Sequence, residues 1–599
     1  MLSPGQVQDA GSLCAVFQAT VAARPDEVAV RSFDGSTSIT WREYDRRVRR
    51  IAAGLAGIGV RRGSTVAMML TNRPEFNLLD AAVMHLGASS FSIYNTYPPE
   101  QIAFLFAAGG NRVVVCEEQF LAKVRAAAVG TAVERVVCLD GGDEDTLSLE
   151  ELESAPGRGF DFDAAWRAVT RNDLLTLIFT SGTTGRPKGV ELTHANVLFS
   201  VGGSARLQQE VFGADHHGHV ISYLPDANLA NRWSGHYVPM ASGATVTTVR
   251  DGRTVTNVLK DVHPTMFMGV PMIWYKLKAA IEQEIAALRD ERRALAEWAL
   301  GVGAEKVRLE LAGSPVPPEL AAEHERATRE FLAPLRASFG LDRLGYTTSG
   351  GAPISPEALE FYLSIGLPLY EVYGMTECAA SGIANSPGHM RLGTVGKPKA
   401  GMEIRLGDDG ELLIRSPGVM RGYRNDPART AEAVDADGWL HTGDIATIDA
   451  DGFVSIVDRK KDIIINSSGK NMSPANIENA LRLECGLLGS VVAIGDGRPY
   501  VTALVTLEPQ EAAAFAAARG IAADGPEALS RAPEVREVVA AGIERGNARL
   551  SRVEQVRNFV VLPTFWEPNG DELTATMKVR RKVVGEKYAA EIEALYDRR

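Results

Sequence analysis

Cysteine is scarce in this chain: Cys14, Cys116, Cys138, Cys378 and Cys485 are the five in 599 residues, and they are widely scattered. No CxxC pair is present, which argues against a zinc knuckle or a disulfide framework and fits a reducing cytosol. A cytoplasmic location is therefore expected. Long apolar runs are missing as well, since no stretch reaches the roughly 18 uninterrupted apolar residues of a membrane-spanning helix. The nearest, around Leu78 to Tyr94, carries Asp80 and His85 and predicts a soluble helix running into a strand. The opening MLSPGQVQDA has neither the basic nor the apolar region of a secretory signal. Any membrane contact is expected to be peripheral. Basic excess is also lacking: the net charge of −12 gives no bias toward nucleic acid.

What is present is the makeup of a large globular protein. At 45% apolar residues the chain can bury a sizeable core, and it is long for one domain. Short β-rich runs alternate with helical patterns through the first three-quarters: TVAMML (65–70), VVVC (113–116), RVVCL (135–139), LLTLIFT (174–180), VISYLP (220–225) and TMFMGV (265–270). This predicts an α/β fold whose large N-terminal domain is multi-layered, with largely parallel sheets and helices. The acidic, turn-rich GGDEDTLSLEELES (141–154) reads as a surface excursion. From about Tyr275 to Leu341, segments rich in Ala, Leu, Glu and Arg predict an inserted helical pair. Asp-Gly dipeptides in EIRLGDDGELLIRS and DGFVSIVDR predict hairpins. A domain boundary is expected at Asp458-Arg459-Lys460-Lys461-Asp462. It divides a large domain (1–457) from a small, mobile α+β domain (458–599). The small domain is expected to have helices near 474–484 and 534–549 and strands near 491–495, 500–507 and 556–562.

The segment Thr180-Ser181-Gly182-Thr183-Thr184-Gly185-Arg186-Pro187-Lys188-Gly189 follows an apolar strand and precedes a helical stretch beginning near Thr193. Small residues let backbone N–H groups approach a phosphate chain closely. Hydroxyls at 180, 181, 183 and 184 add donors, and Lys188 adds positive charge. It is not a Walker A loop, because no GxxxxGK[ST] occurs here. The bland alternative is a flexible Gly/Thr turn.

This loop resembles the phosphate loop of the ANL superfamily, which includes acyl-CoA synthetases, luciferases and peptide-synthetase adenylation domains. Further segments follow in that family's order: Ser349-Gly350-Gly351-Ala352-Pro353, Tyr373-Gly374-Met375-Thr376-Glu377, Trp439-Leu440-His441-Thr442-Gly443-Asp444 and the Asp458–Asp462 run. The resemblance implies an ATP site. Gly351, Ala352 and Pro353 contact adenine with Glu371, Tyr373, Gly374 and Met375; Tyr373 stacks on the base, and Thr376 faces the phosphate. Asp444 supplies the carboxylate that holds the ribose diol, and Arg459 lies at the hinge beside it. Glu377 is the expected Mg²⁺ ligand, because a hard cation takes oxygen donors and bridges phosphates; Thr180 is a second candidate. Taken singly, Asp444 could be a turn aspartate and Glu377 a solvated glutamate at a helix start.

DELTATMKVRRK (571–582) resembles the closing loop of long-chain acyl-CoA synthetases and implies that Lys578 is the adenylation lysine. A mobile cation there would stabilise charge that develops only in the transition state. The alternative is a solvated lysine in a basic run with Arg580, Arg581 and Lys582, cations that could instead hold coenzyme A phosphates. Gly469, in Ser467-Ser468-Gly469-Lys470-Asn471, matches the glycine lining the family's pantetheine tunnel; a plain turn glycine is the alternative. The expected reaction is activation of a medium- or long-chain fatty acid to acyl-AMP, then thioester formation with coenzyme A. A carrier-protein thiol as acceptor, a polar or amino-bearing acid, and a degenerate nucleotide-binding protein are the competing readings. Two segments depart from the long-chain branch: in SYLPDANLANRW (222–233) Asp226, Asn228 and Asn231 replace an apolar residue, a histidine and a glutamate, and Met272 replaces a common arginine.

Overall fold

The computed structural model describes residues 1–155, 157, 159–180, 186–213, 216–380, 382–523, 525–574 and 577–597. An eight-stranded sheet carries the first half, in the order Gly422–Tyr423, Lys188–Thr193, Leu174–Thr180, Ser89–Ser92, Thr65–Met69, Val113–Cys116, Arg135–Cys138 and Leu147–Ser148. Its central strands are parallel and buried on both faces, which is why they read as continuous apolar runs. A second sheet of largely parallel strands joins Met266–Gly269, Tyr346–Ser349 and Leu369–Tyr373. A third joins His219–Ser222, Thr245–Thr248 and Val28–Ser32, with Ser38–Thr40 at its edge. The strands Glu403–Leu406, Glu411–Arg415, Leu440–Ile448 and Val454–Arg459 form an antiparallel sheet with turns at the Asp-Gly positions, as their composition predicts. The result is a mixed α/β architecture with a large N-terminal domain and a smaller C-terminal one.

Residues from Ile464 onward have their own core. Leu488–Ile494, Val501–Leu507 and Val556–Val561 form a three-stranded sheet packed against helices Pro474–Glu484 and Pro533–Asn547. The chain leaves the large domain at a tight turn: Asp462 and Ile463 both donate their backbone N–H to the Arg459 carbonyl. The strand before this turn still pairs Asp458 and Arg459 with Ile445 and Asp444.

Two expectations need correction. The helical insertion is more than a pair: it comprises Pro271–Ala286, Asp290–Leu311, Pro318–Ala327, a π-turn at Thr328–Leu332 and Ala333–Ser338. The break at 312–317 carries Gly and Pro, whereas those at 287–289 and around 328–332 carry little turn signal. The segment 141–154 is also not wholly a surface excursion, since its end forms the helix Leu149–Ser154, which buries Leu152. There the Leu152 carbonyl packs so closely on Gly54 that a Cβ could not fit between them. All five cysteines are buried, and none is in a disulfide. Among the described residues no helix is long and apolar enough to cross a membrane.

Asp80, which interrupts the apolar stretch from Leu78 to Tyr94, is a buried anion. It pairs with Arg232 at 2.8 Å and His236 at 3.0 Å, and Arg232 is fully buried. The same guanidinium donates to Ser90, Ser92 and Thr176, so the charge is compensated on every side.

Candidate active site

Strand ends and connecting loops position the candidate residues. Thr180 ends one strand and pairs across the hairpin with Lys188, which begins the next. The loop between them therefore joins antiparallel strands, and Thr193 caps the following helix, His194–Phe212, from its hydroxyl. Ser181, Gly182, Thr183, Thr184 and Gly185 lie outside the described residues. Gly351, Ala352 and Pro353 follow the end of Tyr346–Ser349 and are exposed. Tyr373 ends Leu369–Tyr373, Gly374 is exposed, Met375 and Thr376 are half-buried, and Glu377 lies in a short 3₁₀ turn.

Asp444 is buried and held from two directions. The Tyr373 hydroxyl donates to its Oδ2 at 2.5 Å, and Arg459 Nε lies 3.0 Å from its Oδ1. Tyr373, far off in sequence, thus meets the hairpin pair Asp444 and Arg459 on one carboxylate. The Thr442 hydroxyl and the Glu411 carboxylate hold the backbone N–H groups of Asp444 and Gly443, fixing the strand segment that presents it.

Glu377 is 9% exposed, and its Oε1 accepts a hydrogen bond of 3.0 Å from the Tyr423 hydroxyl. The ring of Tyr423 carries the Lys188 ammonium 4.7 Å from its centre. Tyr423 escapes the sequence reading because its strand, Gly422–Tyr423, is two residues long and has no pattern of its own. Among the described residues no cluster of three or more His, Cys, Asp or Glu side chains forms a cage for a metal. A single carboxylate suits Mg²⁺, which keeps several waters and takes its remaining ligands from phosphates. The carboxylate of Glu377 fits that ion, and Thr180 is linked to it through its strand partner Lys188 and Tyr423.

Lys578 stands in the same cluster. Its backbone is pinned by two hydrogen bonds to Thr574: the Lys578 carbonyl accepts from Thr574 N–H at 2.8 Å, and Lys578 N–H donates to the Thr574 hydroxyl at 3.0 Å. Met577 takes a left-handed φ of 63° to make this turn. Lys578 is exposed as a residue, yet enough protein surrounds its ammonium to lower its pKa. Arg459 and Lys461 push in the same direction, while the negative charges of Asp444 and Glu377 oppose them. Lys461 is lowered by crowding too, with Arg459 and Lys188 contributing. The site is thus a cationic cleft with anions set into its wall, suited to a polyphosphate.

Glu371 is 6% exposed and accepts one hydrogen bond, 3.3 Å from the Ile354 N–H. Burial pushes its carboxyl up to about 8. Gly469 has a different setting. It lies exposed at a hairpin tip with φ +73°, and a Cβ there would meet nothing within 4 Å. In this arrangement the turn conformation, not a close approach, calls for glycine. Arg581 is not a free cation: it makes a bidentate pair with Glu478 at 2.7 and 3.0 Å. Asp226 is buried, its Oδ1 accepting from Asn231 at 2.7 Å, whereas Asn228 is half-buried and caps a short helix. Burial raises the Asp226 carboxyl to about 7.

Comparison with known proteins follows these lines. A family model described as AMP-binding enzyme matches residues 17–424, and one described as AMP-binding enzyme C-terminal domain matches 461–599. The chain is 49% identical over 454 residues to fadD11 of Mycobacterium tuberculosis, provisionally named a fatty-acid–CoA ligase; this covers 75% of the chain and 78% of the relative. It is 32% identical over 582 residues to the long-chain-fatty-acid–CoA ligase FadD15 of Mycobacterium bovis, covering 96% and 95%. Among solved structures, the A-PCP didomain of a carboxylic acid reductase from Segniliparus rugosus in complex with AMP aligns with a TM-score of 0.73 at 21% identity. That alignment covers 99% of this chain and 83% of the other, and the likeness is one of fold.

Proposed function

The chain belongs to the AMP-binding enzyme family, and on that premise we propose that it is an acid–thiol ligase that makes fatty acyl-coenzyme A through an acyl-adenylate. In the first half-reaction a carboxylate oxygen attacks the α-phosphorus of ATP and the bond to pyrophosphate breaks. In the second, the thiol sulfur of coenzyme A attacks the acyl carbonyl, AMP leaves with the C–O bonding pair, and the thiol proton passes to solvent. Lys578 stabilises the charge that builds on the phosphorus and on departing pyrophosphate. Lys188, with the 181–185 loop, holds the phosphate chain. Asp444 takes the ribose diol; Gly351, Ala352, Pro353, Glu371, Tyr373, Gly374 and Met375 surround the adenine; and Thr376 faces the phosphate. Mg²⁺, when bound, neutralises phosphate charge, and Glu377 with Thr180 would hold it.

The observation that carries this reading is the position of Lys578, brought from the C-terminal domain into the field of Asp444, Glu377 and Arg459. Relatives named as fatty-acid–CoA ligases support the substrate class. Asp226 supports it too: its carboxyl is turned to Asn231 and so has a partner without a cationic substrate. Five buried cysteines without a disulfide among them support a reducing, cytoplasmic setting.

A panel of carboxylic acids assayed for AMP release, with and without coenzyme A, tests the proposal. The expected result is fatty-acid-dependent AMP release that rises strongly with coenzyme A. Release unaffected by coenzyme A but accelerated by a carrier-protein thiol would assign another acceptor. Preference for amino or hydroxy acids would overturn the substrate class.

A further inference from the structure

A second crevice lies at the N-terminal ends of the parallel strands of the third sheet. It has a volume of about 410 Å³, and its lining includes Arg31, Arg343, His217, His219, Thr245 and Val262. Val28, His219 and Thr245 are the first residues of the parallel strands Val28–Ser32, His219–Ser222 and Thr245–Thr248. Arg343 precedes the strand Tyr346–Ser349, whose far end leads into Gly351–Pro353. None of the residues lining the crevice is among those placed at the nucleotide site.

The charge balance of this crevice is unusual for a chain of net charge −12. Its one lining carboxylate, Glu27, is already shared: Arg24 donates to Oε2 at 2.8 Å, and His217 Nδ1 lies 2.5 Å from the same oxygen. Asp342, next to Arg343 in sequence, is turned to His263 Nδ1 at 2.5 Å. Arg31 spends its Nε on the Thr247 hydroxyl at 2.9 Å. Among the described residues neither Arg31 nor Arg343 makes an ion pair, and the one lining carboxylate, Glu27, is held by Arg24 and His217. The Thr247 hydroxyl, which accepts from Arg31, also lies 2.7 Å from His219 Nε2. Burial and the positive charges of Arg31, Arg343 and His217 pull His219 down to about 4.

We propose that this crevice binds a small phosphate-bearing anion at a site separate from the nucleotide cleft. Paired guanidinium groups match the oxygens of a phosphate, and a doubly charged anion would neutralise both. Val28 and Val262 offer an apolar wall for an organic substituent. The volume lies within the range of ordinary small-molecule sites.

Titration calorimetry of inorganic phosphate into the full chain tests this, comparing the wild type with Arg343→Gln, with Arg31→Gln/Arg343→Gln, and with Lys188→Gln as a control in the nucleotide cleft. The expected result is a binding event that survives Lys188→Gln, weakens about tenfold in Arg343→Gln and disappears in the double variant. The KM for ATP is expected to stay unchanged in both arginine variants. Arg343 is exposed, so its single variant carries the test if the double variant fails to fold. A wild type with no phosphate event, or an event lost in Lys188→Gln and kept in Arg343→Gln, would overturn the proposal.

Discussion

The Tyr373 hydroxyl donates to Asp444 Oδ2 across 2.5 Å, linking the end of a strand in one sheet to a strand of another, 71 positions on. Arg459 completes the arrangement on Oδ1. Asp444 thus enters any complex already oriented, and its carboxylate need not be organised by the ligand. Tyr373→Phe is expected to raise the KM for ATP about three- to tenfold with kcat nearly unchanged, since one hydrogen bond is lost and the ring is kept. Equal loss in kcat would assign the hydroxyl a part in the chemistry.

Glu377→Gln tests the metal assignment. A neutral amide is a poorer ligand for a hard cation, so the Mg²⁺ concentration giving half-maximal rate should rise. Tyr423→Phe, which removes the hydrogen bond to Glu377, should shift the same titration in the same direction by a smaller factor. Wild-type Mg²⁺ dependence in Glu377→Gln would contradict the assignment.

The buried carboxylate of Asp226 gives a prediction about pH. Its folded pKa of about 7 lies above the ordinary 3.8, so the folded state keeps a proton that the unfolded chain releases. Stability should therefore fall as pH rises from about 4 to 7. Asp226→Asn keeps an acceptor for Asn231 and removes the titration. It is expected to be more stable than wild type at pH 8, by on the order of 2 kcal/mol, and indistinguishable at pH 4. Chemical denaturation at both pH values checks this; parallel curves for the two proteins would contradict it. Fatty-acid turnover should change little, because the carboxyl is turned to Asn231.

Much of this architecture is legible along the chain because its signals are local. Apolar runs such as VVVC and LLTLIFT mark central strands. Asp-Gly turns mark the antiparallel sheet, and the charged run 458–462 coincides with the turn where the chain leaves it. What escapes the sequence is pairing across distance. Arg581 reads as one more cation of a basic run until Glu478, on the helix Pro474–Glu484, is seen to hold it. Tyr423 has no periodicity to reveal it, yet it touches both Glu377 and Lys188. Asp226 looks like a loop residue because its burial is decided by the surrounding layers, not by its neighbours in sequence.

Contacts between the two domains should influence which half-reaction is served. Lys276 pairs with Glu508 at 2.8 Å, Arg549 with Glu357 at 2.9 Å, and Asn569 donates to the Thr96 carbonyl. All three favour the arrangement that holds Lys578 in the cleft. We propose that the small domain turns about the 460–462 segment for the thioester step, which would bring Gly469, exposed at a hairpin tip here, to the cleft. Lys276→Gln is expected to slow adenylation about two- to fivefold and leave thioester formation unslowed, a partly buried pair being worth about 1 kcal/mol. Lys461→Pro, which fixes φ at the turn, should do the reverse: near-normal adenylation and badly slowed thioester formation. Matched losses in both steps for either variant would count against domain alternation.

The most direct test of the whole account is to measure the two half-reactions separately in Lys578→Ala: pyrophosphate–ATP exchange for adenylation, and thioester formation from supplied acyl-AMP and coenzyme A. Removing a cation that acts only in the adenylation transition state should lower the first rate by on the order of 10²–10³ and leave the second within a few-fold of wild type. Equal loss in both half-reactions, or unchanged exchange, would show that Lys578 is not the adenylation lysine.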